Sequence, residues 1–437
     1  MRIAIVGGGL AGLSCAKHLA ERGYPSTIYE ARPRLGGRAS SFVDPATGEL
    51  VDTCQHVSMG CCTEFHAFCS DIGLRSVLEP QPTLWFLTPD GRESRFRSDP
   101  WPAPLHLSRA LLGAHYLTSI EKLRIVYGLA RLIAMKPAAD LPLEPWLRRH
   151  GQTTRTNDRF WNVVLVSALN ETIDRIGLKY ARKVFVDGFL KDRDGFTVHV
   201  PTVSLGELYG DGLRSWLAAR GVAIRENAAA KGIDGELRLN LRSGESTKAD
   251  TIVAAVPFER LDDLLPPEWS ARPEFANIRQ LEPSPITSLH LWTDRPILDR
   301  PHAVLLESLG HWVFLRDSTR LGEHYGQIVL SATRALRGMD RGELTAKLLD
   351  DLRRMLPGLR GGRVLRTKLI TEKSATFSAV PGVDELRPRQ RTSIPGFYLA
   401  GDYTQTGWPA TMEGAVRSGR LAAEAIIADQ GSSRSRN

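Results

Sequence analysis

No run of about eighteen uninterrupted apolar residues occurs in the 437 residues of this chain, so no ordinary membrane-spanning helix is expected. Cysteine is scarce: Cys15, Cys54, Cys61, Cys62 and Cys69 are the only five, all in the first 69 residues. So small and odd a number in a long chain fits reduced thiols in a cytoplasm better than a disulfide framework. The chain opens directly on "MRIAIVGGG", and no signal peptide is expected ahead of the fold. Blocks of Lys and Arg interleaved with aromatics are missing too. A net charge of +8 spread over this length therefore indicates no nucleic-acid partner, while leaving attraction to anionic lipid open. Hydrophobic residues make up 42% and charged residues 24%, the composition of a soluble globular protein with two interlocked domains or one large cofactor-binding domain. Only the terminal "DQGSSRSRN" lacks anything to bury, and it is expected to be disordered.

What the chain does contain begins at its first residues. "RIAIVGGGLAGLSCAKHLAERG" predicts a short apolar strand, a glycine turn and a helix. Gly7, Gly9 and Gly12 have the G-x-G-x-x-G spacing between strand and helix that binds a dinucleotide. The three glycines divide the work between them, making the tight turn, the close approach to a pyrophosphate, and the tight packing of helix on strand. The helix N-terminus adds unpaired N–H groups and a positive dipole end. A second strand, "STIYEA", ends in Glu30, placed to bind a ribose hydroxyl and to disfavour a 2′-phosphate. "ARPRLGGRASSF" follows, an R-x-G-G-R run whose Gly36 and Gly37 let a loop close over a pyrophosphate that Arg38 neutralises. A simple NAD site has no need of that second loop. A buried FAD does.

Here the chain resembles flavoproteins of the amine oxidase and phytoene desaturase superfamily. The C-terminal "GFYLAGDYTQTGWPATMEGAVRSGRLAAEAI" is similar to the segment with which that superfamily closes its flavin site. The resemblance implies an α/β fold with a Rossmann-type FAD-binding domain, interleaved with a substrate domain of mixed sheet and helices. Residues 1–75, 203–282 and 385–437 would form the FAD-binding part, and 76–202 and 283–384 the substrate part with a helical cap. The implied FAD contacts are Gly7, Gly9, Leu10, Ala11 and Gly12; Glu30, Ala31 and Arg32; Gly36, Gly37 and Arg38; Gln55 and His56; and Gly401, Asp402, Trp408, Thr411, Met412 and Ala415. "LYGDGLRSWLAARG" has no apolar strand before it and is expected to be a turn into a helix, not a second nucleotide site. The electron donor is therefore unidentified.

"LVDTCQHVSMGCCTEF", residues 50–65, is the densest cluster of polar and sulfur-bearing groups. No metal is expected, because neither C-x-x-C pairs nor two His at helical spacing occur. The adjacent Cys61 and Cys62 have no activating neighbour in the sequence and read as small buried hydrophobes. Strand alternation would put Val51, Thr53 and Gln55 on one side and Asp52, Cys54 and His56 on the other. Asp52, Gln55 and His56 match the Asp-Asn-Gly-Gln-His pattern of hydroxysqualene dehydroxylases, also described as squalene-associated FAD-dependent desaturases; Thr53 and Cys54 depart from it. "FWNVVLVSALNE", "PSPITSLHLW", "HWVFLR" and "EKSATFSAVPGVDELRP" extend the likeness over nearly the whole chain.

That resemblance implies reduction of hydroxysqualene to squalene, with His56 as general acid, Asp52 holding it, and Gln55 positioning the hydroxyl or the flavin. The alternatives are a carotene or polyene desaturase, a flavin amine oxidase, and a flavin-binding scaffold without activity. Residues 107–137 predict one long helix, apolar on nearly every face from Leu123 to Met135, with a basic fringe of Lys122, Arg124, Arg131 and Lys136. Such a helix is either a buried cap or a contact with the inner face of a membrane.

Overall fold

The computed structural model describes residues 1–45, 47–135, 140–317 and 322–434. Three distant stretches of chain build one parallel sheet. Its strands run in the order Val222–Arg225, Ser26–Tyr29, Ile3–Val6, Thr251–Ala254 and Phe397–Leu399. Ile3–Val6 lies at the centre, paired on both edges and buried at all four residues. This explains its continuous apolar run, since a strand covered on both faces has no solvent side to leave polar. Gly7 ends the strand at φ +113°, and a side chain there would meet the Ala255 carbonyl oxygen at 2.4 Å. At Gly12 a Cβ would lie 2.0 Å from the Gly7 carbonyl oxygen. Helix Leu10–Glu21 can approach the turn this closely only because that position has no side chain.

The two ends of the chain meet here. The terminal helix, Met412–Arg434, lies along Leu10–Glu21, and a Cβ at Gly419 would sit 2.2 Å from the Ala11 carbonyl oxygen. Ser14 donates to the Val416 carbonyl at 2.8 Å. The tail expected to be disordered instead continues this helix to Arg434. Asp429 anchors that last stretch by accepting from the Tyr398 hydroxyl at 2.6 Å and pairing with Arg391 at 2.8 Å. Residues 435–437 lie outside the described residues.

A second sheet has seven strands in the order Val364–Phe377, Pro283–Thr293, His324–Leu330, Trp312–Asp317, His302–Leu305, Thr83–Leu87 and Glu93–Arg97. All its pairs are antiparallel except His302–Leu305 with Thr83–Leu87. Alternation gives it two faces. Leu289, Leu291, Val313 and Ile328 pack against Leu348 and Leu352 of helix Arg341–Met355. Trp312, Phe314, Val329 and Ile286 face the other way, into a cavity.

Helices from residues 105 to 190 cover that cavity. Two of their turns, Asn157–Trp161 and Val184–Leu190, are widened to π-helix, a local strain common beside functional sites. The single helix predicted over 107–137 is instead two, Ser108–Gly113 and Ser119–Ala134. Tyr116 and Leu117 plunge into the core between them, and Thr118 starts the second helix with a reciprocal capping box to Glu121. Lys136, named for the basic fringe, lies outside the described residues.

Candidate active site

A cavity of about 800 Å³ runs between the two sheets. Every residue nominated from the sequence lines it, except Gly12 and Asp52. Its first half is a cradle of backbone. Gly36 N–H donates to the Gly8 carbonyl at 2.9 Å, and a Cβ at Gly37 would stand 3.1 Å from the Gly9 Cα. The two glycine loops thus touch without side chains between them and leave exposed backbone facing the space. Glu30 completes that edge, accepting from Gly8 N–H at 2.7 Å and Arg32 N–H at 2.9 Å. Arg38 crosses to the C-terminal segment, donating to the Ala375 carbonyl at 2.8 Å and to Asp402 at 2.6 Å. Glu259 is close to this pair, and burial raises its carboxyl above the usual range.

Two residues absent from the sequence reading hold the C-terminal wall. Arg387, almost fully buried, donates to the Asp402 carbonyl at 3.0 Å and to the Thr404 carbonyl, tying down the turn at Gly401. Glu413, in the first turn of the terminal helix, accepts from the Glu64 and Phe65 N–H groups at 3.2 and 2.7 Å and from Arg417 at 2.6 Å. Its carboxylate therefore caps helix Thr63–Asp71 across the cavity rim. No spacing rule connects residue 413 to residue 64; only the fold does.

The Asp52 to His56 stretch differs from expectation in three ways. The strand stops at Asp52 (Leu50–Asp52), because Thr53 turns its hydroxyl onto the Arg38 and Ser40 carbonyls at 3.0 Å each. Alternation therefore does not order Gln55 and His56, and both line the cavity. Asp52, in turn, forms no bond to His56. Its carboxylate accepts from the Ser41 hydroxyl at 2.5 Å and Leu205 N–H at 2.9 Å, and it pairs with Arg316 at 3.0 Å. Arg316 reaches on toward the Gln55 amide oxygen at 3.5 Å. Asp52 is thus an anchor beneath the site.

His56 is the third difference. Its Nδ1 lies 2.9 Å from the Cys54 carbonyl, which can only accept, so the ring's proton sits on Nδ1 and Nε2 carries a free lone pair. Burial holds its pKa below the ordinary value, and the Cys54 bond opposes this only in part. The shift favours the neutral ring over the protonated acid that the sequence suggests.

Beyond Gln55 and His56 the cavity turns apolar, with Phe86, Val163, Phe189, Trp312, Phe314 and Val329 on its walls. Trp312 and Phe314 lie 5.4 Å apart with nearly parallel rings, and Trp312 is fixed by donating to Ser167 at 2.9 Å. Trp408 carries Lys183 at 4.5 Å and Arg417 at 4.9 Å over its ring. Its π system is therefore committed to the protein's own cations. Among the described residues no cluster of His, Cys, Asp or Glu is arranged to hold a metal.

The match to the family of flavin-containing amine oxidoreductases extends over residues 10–427. The chain belongs to that family. It is an FAD-dependent oxidoreductase, and the glycine cradle, Glu30 and Arg38 fit the dinucleotide. Among its relatives is the 15-cis-phytoene desaturase of Synechococcus elongatus, 29% identical over 461 residues, with 98% of this chain and 96% of that protein covered. A probable zeta-carotene desaturase from the same organism is 27% identical over 482 residues, covering 98% and 99%. In fold the chain is similar to a putrescine oxidase triple mutant (TM-score 0.74, 15% identity, 98% and 99% covered) and to an oxidoreductase from Methanosarcina mazei (TM-score 0.73, 15%, 98% and 100%).

Proposed function

We propose that this flavoprotein transfers hydride between FAD and a long acyclic isoprenoid laid along the apolar half of the cavity. The observation that carries this is the join at Gln55 and His56, where a dinucleotide cradle opens straight into walls of Phe, Val and Trp. Residues 1–75, 203–282 and 385–437 act as the FAD-binding part in this reading, and the other two segments enclose the substrate. Bound FAD supplies the two-electron chemistry. The chain's own residues exclude water, orient the reacting carbon and move a proton.

Two directions of electron flow suit the site. Desaturation of a polyene such as phytoene is supported by relatives that span nearly the whole chain and by His56, whose free Nε2 is suited to accept a proton as hydrogen leaves the substrate. Reduction of hydroxysqualene to squalene is supported by Gln55 and His56, which match the pattern of that group of enzymes; there the proton for the leaving hydroxyl must come from a group other than a charged imidazole. Amine oxidation is the poorest fit, because Trp408 is covered by Lys183 and Arg417 and no other aromatic precedes Glu413 in residues 409–412.

Anaerobic assays test the two directions in parallel: phytoene with the oxidised holoprotein, and hydroxysqualene with the reduced one. Flavin bleaching or squalene formation identifies the direction, and neither product rejects the proposal. His56→Ala is expected to keep FAD and lose about 10²- to 10⁴-fold in turnover; undiminished turnover rejects its role.

A lipid surface is the proposed source of substrate. Leu112, Ile120 and Leu123 are 66–70% exposed, and Val126, Tyr127 and Ile133 are exposed beside them. Lys122, Arg124 and Arg131 flank this face, which suits anionic headgroups. The opposite side of helix Ser119–Ala134 buries Ile125 in the cluster that holds Leu84 and Phe86, both of which line the cavity. Flotation with anionic liposomes, abolished by Leu123→Glu with Val126→Glu, is the expected result; no flotation of the native chain rejects this part.

A further inference from the structure

Cys61 and Cys62 are less buried than the sequence suggests. They stand between strand Ser58–Met59 and helix Thr63–Asp71, and both side chains line the cavity, neither fully buried. The backbone around them is fixed: Cys61 N–H donates to the Gly195 carbonyl at 3.0 Å, and Cys62 N–H to the Met59 carbonyl at 2.8 Å. Gly188 leaves room over Cys61, since even a Cβ added there would stay 4.0 Å from its sulfur. The two cysteines are neighbours in the chain and meet the same cavity, so a rotation of the side chains can bring their sulfurs together. Their mutual interaction lowers the Cys61 thiol, while that interaction and burial raise that of Cys62. Cys15, Cys54 and Cys69 behave differently, each buried and pushed up to about 12.

We propose that Cys61 and Cys62 form a redox-active vicinal dithiol that exchanges two electrons with the FAD held in the same cavity. Met412 and Glu413, at the start of the terminal helix, line the cavity with them. The inference rests on flavin binding and is independent of the isoprenoid reading. On oxidation Cys61 would release its proton to solvent and the Sγ–Sγ bond would form as Cys62 gives up its own proton, with two electrons passing to bound FAD and the two protons that FAD needs coming from Cys62 and from solvent. The reverse reaction opens the disulfide and returns both thiols. An external dithiol that reduces this disulfide by exchange would then be an electron donor for the flavin, a role no nucleotide motif in the chain fills. Adjacent Cα atoms are about 3.8 Å apart, closer than the usual 4.4–6.8 Å span of a disulfide. The bond would therefore be strained and easily reduced, as an exchange pair requires.

Anaerobic reductive titration of the holoprotein, first oxidised with diamide, measures the stored electrons. Native protein should take up about four electrons per bound FAD, and Cys61→Ser and Cys62→Ser about two each, with flavin absorbance near 450 nm confirming equal loading. As a second readout, N-ethylmaleimide labelling and intact mass should show two thiols lost on diamide treatment of native protein, with a fall of about 2 Da, and no such fall in either variant. Native protein that takes up only about two electrons, or loses no thiols, overturns the proposal. So do variants that titrate like native protein.

Discussion

Removing Arg316 separates the structural role of Asp52 from a catalytic one. The Asp52 side chain is 1% exposed and its ion-pair partner 24%. Deleting one member of a buried pair costs about 3–5 kcal/mol, because the remaining charge is left uncompensated. Asp52 would keep the Ser41 hydroxyl and Leu205 N–H, so the cost of Arg316→Met belongs near the low end, about 3 kcal/mol. An unfolding entropy of about 2.1 cal/mol/K per residue, taken over 437 residues, gives about 0.9 kcal/mol/K, so Tm should fall by about 3 °C. In an Asp52→Asn background the same substitution no longer strands a charge and should cost about 1 kcal/mol or less. Urea denaturation of the four proteins yields the coupling directly. Coupling within about 0.5 kcal/mol of zero would refute the pairing and reopen Asp52 as a partner of His56.

Three other expectations follow from buried groups and close backbone contacts. His290 and His302 are buried and His311 is half-buried, and loss of solvent lowers the three to about 3, 4 and 4 respectively. Their depressed values favour folding fully above the unfolded value near 6.5 and lose that contribution as pH falls toward 4. Tm should therefore drop steadily between pH 6.5 and 4, less steeply in His290→Gln, and a flat profile contradicts the burial. Gly12→Ala places a methyl 2.0 Å from the Gly7 carbonyl oxygen and should abolish flavin retention, read as loss of absorbance near 450 nm. Arg38→Met removes the tie from the glycine loop to Asp402 and Ala375 and should weaken FAD binding about 10- to 100-fold, with Arg38→Lys falling between. Unchanged affinity would contradict a role for Arg38 in holding the cofactor.

The cofactor half was legible because its constraints are local. Gly7, Gly9 and Gly12 sit within one turn, Glu30 ends the next strand, and the GGR loop follows, so spacing alone reported the geometry. The reaction half was not. The environment of His56 is set by the carbonyl of Cys54 and by burial in the fold, and a motif carries no record of a tautomer. Arg316 and Glu413 were missed because their partners lie 264 and 349 positions away, Asp52 and Glu64 respectively. The helix over 107–137 was overextended because its hydrophobic pattern continues through Tyr116 and Leu117, whose burial breaks it. Cys61 and Cys62 read as core because adjacency cannot show that both face a cavity.

The most direct test of the account is an anaerobic spectrum of the FAD-loaded protein mixed in turn with phytoene, with hydroxysqualene after flavin reduction, and with putrescine. Change of the flavin band with one of the two isoprenoids, and none with the diamine, is the predicted result. A flavin that ignores both isoprenoids and is bleached by putrescine would contradict the account at its centre.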